Sequence, residues 1–248
     1  MKTLNQYIKE KLIINQRFDE KLIINKDYHD AKILVKSFDE LRKIIEDRYD
    51  KLGAGTKQNP IDFNDIDVSN IDSFCTMLKG IFYETKFKYI DISSWDVSNV
   101  KSMNSMFFYC EELKSVGDIS EWDVSNVTDM QYMFCKVVNF NQDISNWDVS
   151  KVNNMNSMFC GCESFNQNIS SWNVSKVTDM SGMFEGCKKF NQDISSWNVS
   201  NVKNMSNMFE CCESFNQDLS DWDVSNVRKH LSMFDYCPIE ENYKPKFK

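Results

Sequence analysis

Residues 172–196 read WNVSKVTDMSGMFEGCKKFNQDISS, and the same sentence returns along most of the chain. Trp95, Trp122, Trp147, Trp172, Trp197 and Trp222 are separated by 27, 25, 25, 25 and 25 residues, and every tryptophan of the protein stands in that register. Counted from Trp as position 1, the unit is W-[DN]-V-S-[NK]-V-x-x-M-x-x-M-F-x-x-C-x-x-F-N-Q-[DN]-[IL]-S-x. A degenerate copy begins at Ile66, where Ile replaces Trp and Phe74 replaces the first Met, so seven units are countable. A period of this length marks a repeat architecture, and it outranks any local motif as a guide to the fold.

Two periodicities lie inside each unit. Positions 9, 12, 13 and 16, which are Met180, Met183, Phe184 and Cys187 in the quoted unit, have the i, i+3, i+4, i+7 spacing of one face of a short helix. Trp and Val at positions 1 and 3 alternate with polar residues and predict a short half-buried strand. Ser at position 4 or Asn at position 5 is then placed to cap the predicted helix. A second extended piece is expected around Phe-Asn-Gln-Asp-Ile-Ser, with Ile194 inward and Asp193 and Ser195 outward. One unit alone buries too little to offset the ordering of its backbone, so stacking has to bury both flanks of each. The expected architecture is a repeat solenoid over residues 61–237, with short parallel strands and a short helix per unit, all six tryptophans in its core.

The text WDVSNV, MxxMFxxC and FNQDIS resembles the BspA-like leucine-rich-repeat surface proteins, whose repeat was first catalogued as a domain of unknown function in mycoplasma lipoproteins. The resemblance spans roughly residues 61–237. It implies a right-handed, leucine-rich-repeat-like solenoid with no catalytic activity attached to the repeat. Members of the family act as bacterial surface adhesins, and similar chains are encoded by phages of gut bacteria. KSFDELRKIIEDRY followed by DFNDIDVSNI resembles the helical entry that precedes such repeats.

Residues 1–60 do not follow the period. Leu4, Tyr7, Ile8 and Leu12 mark an amphipathic face that reads either as part of a cap or as a docking segment, with docking placed within residues 1–36. KLIIN at 21–25 and AKILVK at 31–36 read as a hairpin across KDYHD. Ser37 and Glu40 make a capping box for a helix with Phe38, Leu41, Ile44, Ile45, Tyr49 and Leu52 as its apolar stripe. GAGTKQNP at 53–60 reads as its stop and a linker, which gives a small α or α+β cap over the first unit. Residues 238–248 read as a charged tail in which Pro and Lys blunt the last edge.

Composition narrows the function. The net charge is -8, but residues 1–60 carry 13 Lys+Arg against 10 Asp+Glu and the remainder 16 against 27. An acidic body repels phosphate backbones, so a nucleic-acid partner is not expected on the repeats. No apolar run is long enough to span a bilayer. Lys9, Glu10 and Lys11 interrupt any secretory signal, and nine Cys is an odd number, so reduced thiols in the cytoplasm or in a phage particle are expected. His29 and His230 are the only histidines and lie in different regions. With no phosphate-binding glycine loop either, an enzyme is not expected.

Two columns of acidic and amide side chains remain. Position 22 gives Asp91, Asp118, Asp143, Asn168, Asp193 and Asp218, and position 2 gives Asp96, Asp123, Asp148, Asn173, Asn198 and Asp223. Three roles are open: staples of local turns, an acidic strip for a basic protein partner, or a calcium-binding column. Cys110, Cys162, Cys187, Cys212 and Cys237 share position 16 and read as small core residues, while Cys160 with Cys162 and Cys211 with Cys212 could hold a soft metal. The sequence therefore predicts a non-enzymatic interaction or scaffold protein with an unidentified protein partner and no cofactor. The alternatives are a phage virion component or cargo protein held by its N-terminal segment, and a surface adhesin exported by a non-standard route.

Overall fold

A computed structural model describes residues 32–76, 79–82 and 85–247. The predicted docking face at Leu4, Tyr7, Ile8 and Leu12, and the KLIIN half of the predicted hairpin, lie outside these residues.

The elements are β1 (Ile33–Leu34), α1 (Phe38–Leu52), β2 (Ile61–Asp62), β3 (Ile66–Asp67), β4 (Cys75–Thr76), β5 (Lys79–Gly80) and β6 (Ile90–Asp91), with a final 3-10 turn at Glu241–Tyr243. β1 pairs in parallel with β3, β2 pairs in parallel with β6, and β4 and β5 pair antiparallel. Beyond them the repeats join through isolated parallel bridges, one between Tyr89 and Ser115 and a run of six at position 8 that links Ser73 to Ser102 and then to Asp129, Asn154, Asp179, Asn204 and Lys229. This is a repeat fold in which each unit pairs with the next in constant register. The bridging strand sits at position 8, not at positions 1–3 where alternation predicted it.

Among the described residues α1 is the one α-helix, so the helix expected in every repeat does not form. Each repeat is instead a succession of tight turns. In the unit of Trp172 the amides of Val177, Met183, Glu185, Cys187, Phe190 and Trp197 each donate to the carbonyl three residues back, at 2.9–3.2 Å. Chained turns that share apolar corners place inward residues three or four apart, which is the spacing that reads as a helix face. What decides between them is backbone sign. Positions 11 and 15 have positive φ in all six tryptophan repeats, including Ser105, Tyr109, Tyr132, Lys136, Asn207 and Cys211 among non-glycine residues. A left-handed residue breaks an α-helix and suits the third position of a type II turn.

That reversal also turns the amides of positions 9, 11, 13 and 15 toward the following repeat. Met155, Ser157, Phe159 and Gly161 donate to the carbonyls of Asp179, Ser181, Met183 and Glu185 at 2.7–3.0 Å. The segment read as helical is therefore a hydrogen-bonded wall between repeats.

Side chains complete the stack. Phe107, Phe134, Phe159, Phe184, Phe209 and Phe234 lie ring on ring at 5.4–5.9 Å, and Phe140, Phe165, Phe190 and Phe215 form a second column at 5.8–5.9 Å. The six tryptophans are 3–6 % exposed, as expected of core residues. The indole N–H of Trp147, Trp172, Trp197 and Trp222 donates to the carbonyl 28 residues back, at 2.9–3.2 Å. Trp122 follows the 27-residue spacing, and its Nε1 finds no partner among the described residues.

At the amino end α1 begins as its capping box predicts. Ser37 Oγ accepts from the Glu40 amide and Glu40 Oε2 accepts from the Lys36 amide. Leu41, Ile44 and Ile45 are buried against the repeats, but Leu52, the end of the expected stripe, is 61 % exposed. Residues 54–61 do more than link: the Ala54 carbonyl accepts from the Lys88 and Tyr89 amides, and Ile61 donates to Tyr89. Gly55 is required there, because a Cβ would meet the Tyr89 carbonyl oxygen at 2.2 Å. At the other end the tail folds back on the last repeat. Ile239 is buried, Leu219 donates to Tyr243, and Phe247 stacks on His230 at 4.0 Å. No helix among the described residues is long and apolar enough to cross a membrane.

Candidate interaction surface

Every outward position of the repeat either serves its neighbours or is free to vary, and the hydrogen bonds separate the two. At position 22 the Oδ1 of Asp118, Asp143, Asn168, Asp193 and Asp218 accepts the amide of the serine two residues on at 2.9–3.0 Å. Asp91 does the same with Ser93. At position 2 Asp96, Asp123, Asp148, Asn173, Asn198 and Asp223 accept from Ser98, Ser125, Ser150, Ser175, Ser200 and Ser225 at 3.0–3.2 Å. All twelve residues are thus turn staples, and the columns extend one repeat earlier through Asp62 and Asp67.

The bonds also set the acidity. The Ser145 amide, joined by its hydroxyl, holds the Asp143 carboxyl below the ordinary 3.8. Burial pushes Asp91 up, but the amide and hydroxyl of Ser93 more than offset it and the net shift is downward. Asp118, Asp193 and Asp218 are lowered in the same way. Among the described residues no three His, Cys, Asp or Glu side chains converge as a metal shell would require.

Two further ladders escaped the sequence reading. Asn at position 20 reaches the next repeat: Asn141, Asn166 and Asn191 accept through Oδ1 from the amides of Asn166, Asn191 and Asn216 at 2.8–3.0 Å. Asn at position 5, read as a helix cap, reaches the previous repeat. Asn126, Asn201 and Asn226 donate to the carbonyls of Ser98, Ser175 and Ser200 at 2.8 Å. The recurrence of Asn at position 20 in four successive units, and at position 5 in four of the six tryptophan repeats, was the available signal.

The cysteines divide by position. At position 16 the Sγ of Cys162, Cys187 and Cys212 donates to the carbonyls of Phe134, Phe159 and Phe184 at 2.9–3.1 Å. Burial pushes these thiols well up, and Cys110 to about 12. Cys160 stands at position 14, the position that Cys135 holds in the preceding repeat, and each thiol shifts the other's ionisation, Cys135 upward and Cys160 downward.

Among the positions that vary, 10, 11, 14 and 15 lie on the segment that pairs repeat to repeat. Each carries four residue types over the six tryptophan repeats, whereas position 4 is always Ser and position 2 always Asp or Asn, and position 24 is Ser and position 22 Asp or Asn in every repeat but the last. They occupy one arc of the hydrogen-bonded wall, on which Tyr109 and Tyr236 are exposed while Ser105, Cys135, Ser157 and Cys160 are buried. Along it the chemistry changes. At its start Phe108 packs against Tyr109 and Tyr132 at 4.6 and 5.4 Å, and Tyr109 is 53 % exposed. In the middle the side chain of Lys136 crosses Gly161, where a Cβ would meet Lys136 Cδ at 2.7 Å. Toward the end position 14 becomes Glu185, Glu210 and Asp235, and burial with the facing Glu210 pushes the Glu185 carboxyl up. A row of amides braces the arc: Asn104 donates to Asp129 and Gln131, Gln131 to Asn156, and Asn156 to Ser181, at 2.7–3.3 Å.

The family described as "Mycoplasma protein of unknown function, DUF285" matches residues 52–159 and again 136–244. The chain belongs to the DUF285 family. This is the repeat family that the tryptophan units resemble. The DUF285 matches begin at the last residue of α1 and run through the folded-back tail. No curated protein and no solved structure matches the chain.

Proposed function

We propose that this DUF285 chain is a non-enzymatic protein-interaction module, a leucine-rich-repeat-like solenoid that presents the arc at positions 10, 11, 14 and 15 to a protein partner. One observation carries the reading: positions 10, 11, 14 and 15 vary together on one contiguous stretch of the wall, and along it the chemistry passes from aromatic to acidic, whereas the Asp/Asn and Ser columns at positions 2, 4, 22 and 24 are held constant by bonds within the protein. Repeat scaffolds suit this division, because the stacking contacts fix the backbone and leave one surface free to diversify. The aromatic start and acidic end of the arc fit a partner that offers an apolar anchor followed by basic side chains. The staple columns at positions 2 and 22 then serve as scaffold.

Affinity recovery with the full chain tests the proposal when set beside two variants. Tyr132→Ala combined with Glu210→Lys alters the arc, and Asp143→Asn combined with Asp193→Asn alters a staple column with its amide bonds retained. The proposal expects a partner recovered by the parent and the column variant and lost at least tenfold with the arc variant. Equal recovery by the arc variant, or dependence on residues 1–31 alone, refutes it.

A further inference from the structure

We propose that Cys135 and Cys160 form a redox modification site that closes to a disulfide between neighbouring repeats when hydrogen peroxide oxidises them. The two residues occupy the same position, 14, of adjacent units 25 residues apart. The backbones beside them are already joined, since the Lys136 amide donates to the Cys160 carbonyl at 2.7 Å. The preceding residues, Phe134 and Phe159, stack at 5.8 Å. Paired backbones in adjacent parallel segments lie about 4.8 Å apart, within the Cα separations of roughly 4.4–6.8 Å that a disulfide spans. Each thiol shifts the other's ionisation, Cys135 upward and Cys160 downward, as two close sulfurs do.

The position-16 cysteines have the same spacing and lack the other requirements. Cys162, Cys187 and Cys212 are fully buried, and each S–H is spent on a phenylalanine carbonyl. Cys135 and Cys160 are buried as well, but they keep 4 % and 9 % exposure where those three have none. The Lys136 side chain is held over Gly161, the residue next to Cys160. The Cys135 S–H and then Lys136 favour the Cys160 thiolate, against burial and Glu185, and the net shift is downward. Cys160 is therefore the nucleophile and Cys135 the resolving thiol.

The steps balance. The Cys160 thiolate attacks one peroxide oxygen, the O–O bond breaks, and the departing hydroxide takes a proton to leave as water. The Cys135 sulfur then attacks the sulfenic sulfur of Cys160, expelling the second water and forming the S–S bond. Two thiols are oxidised and one peroxide is reduced to two waters. The inference does not depend on the partner proposed for the arc.

The test uses the full purified chain, treated with hydrogen peroxide, alkylated and mapped by mass spectrometry. The expected result is a cross-linked Cys135–Cys160 peptide, the loss of two free thiols, and their recovery with a dithiol reductant. In Cys135→Ser, a dimedone-type probe is expected to label Cys160 as sulfenic acid, and in Cys160→Ser no label is expected at position 135. Parent protein whose Cys160 stays free, or passes to sulfinic acid with no cross-link, overturns the proposal, as does prior reaction at the position-16 cysteines.

Discussion

Replacing Gly182 and Gly186 by alanine gives opposite signs for the two ways of reading the Met-x-x-Met-Phe segment. In an exposed helix interior each change is worth about 1 kcal/mol of added stability, because alanine is the better helix former. In the turn chain both glycines have positive φ, +61° and +70°. A side chain there costs about 1–2 kcal/mol, of which roughly 0.4–1 kcal/mol is offset by the lower entropy of the unfolded alanine chain. At Gly186 an added Cβ makes ordinary contacts, the nearest being Gly161 Cα at 3.6 Å, so Gly186→Ala should cost about 0.5–1 kcal/mol. At Gly182 the Cβ would meet Ser157 Oγ at 2.8 Å, and Ser157 is itself 9 % exposed with φ of 51°. Gly182→Ala should therefore cost more, about 1–2 kcal/mol. Guanidinium unfolding followed by tryptophan fluorescence reads the order directly, since all six indoles are in the core. A higher midpoint for either variant than for the parent would refute the turn-chain reasoning.

Two further outcomes follow from the bonds already described. Trp147→Phe leaves the Ile119 carbonyl without its indole donor, whereas the Trp122 indole has no acceptor to lose, so Trp147→Phe should be the more destabilising by about 1 kcal/mol; equal unfolding midpoints would deny the bond its role. The carboxyls of Asp143, Asp193 and Asp218 are held below 3.8, so their stabilisation is complete above that pH and is lost as the pH falls through the lowered values. Asp143→Asn combined with Asp193→Asn should hold the same turns, as Asn168 does, and should flatten the decline in stability below pH 3.8 in acid unfolding. A decline as steep as the parent's would show that the staples do not set it.

How much of this was legible in the sequence depends on which physical signal each feature leaves. The parallel register was plain, because a tryptophan every 25 residues fixes what stacks on what. The capping box of α1 was plain too, since Ser37 and Glu40 form it within one turn of chain. The Asp-x-Ser bonds were among three readings of the columns, and their geometry shows in the structure. The helix in each repeat was misread for a definite reason: apolar corners of chained turns recur at the same intervals as a helix face, and the left-handed residues that distinguish the two are mostly Ser, Tyr, Asn, Cys and Lys. Gly161, Gly182 and Gly186 at those positions were the available clue. The Cys135–Cys160 contact was hidden because position 14 looks like unconstrained surface until the neighbouring unit is laid beside it.

The lateral bonds of a repeat carry a consequence for how such a chain can change length. Each amide or side chain that leaves one repeat lands on an equivalent atom a fixed count of residues away, as Asn191 does on Asn166 and Trp197 on Ile169. Excising residues 172–196 would bring the next tryptophan onto the same acceptors, with every seam rejoined. Recombination between the near-identical copies in the gene can thus lengthen or shorten the protein one unit at a time without rewriting any contact, and the arc grows or shrinks with it.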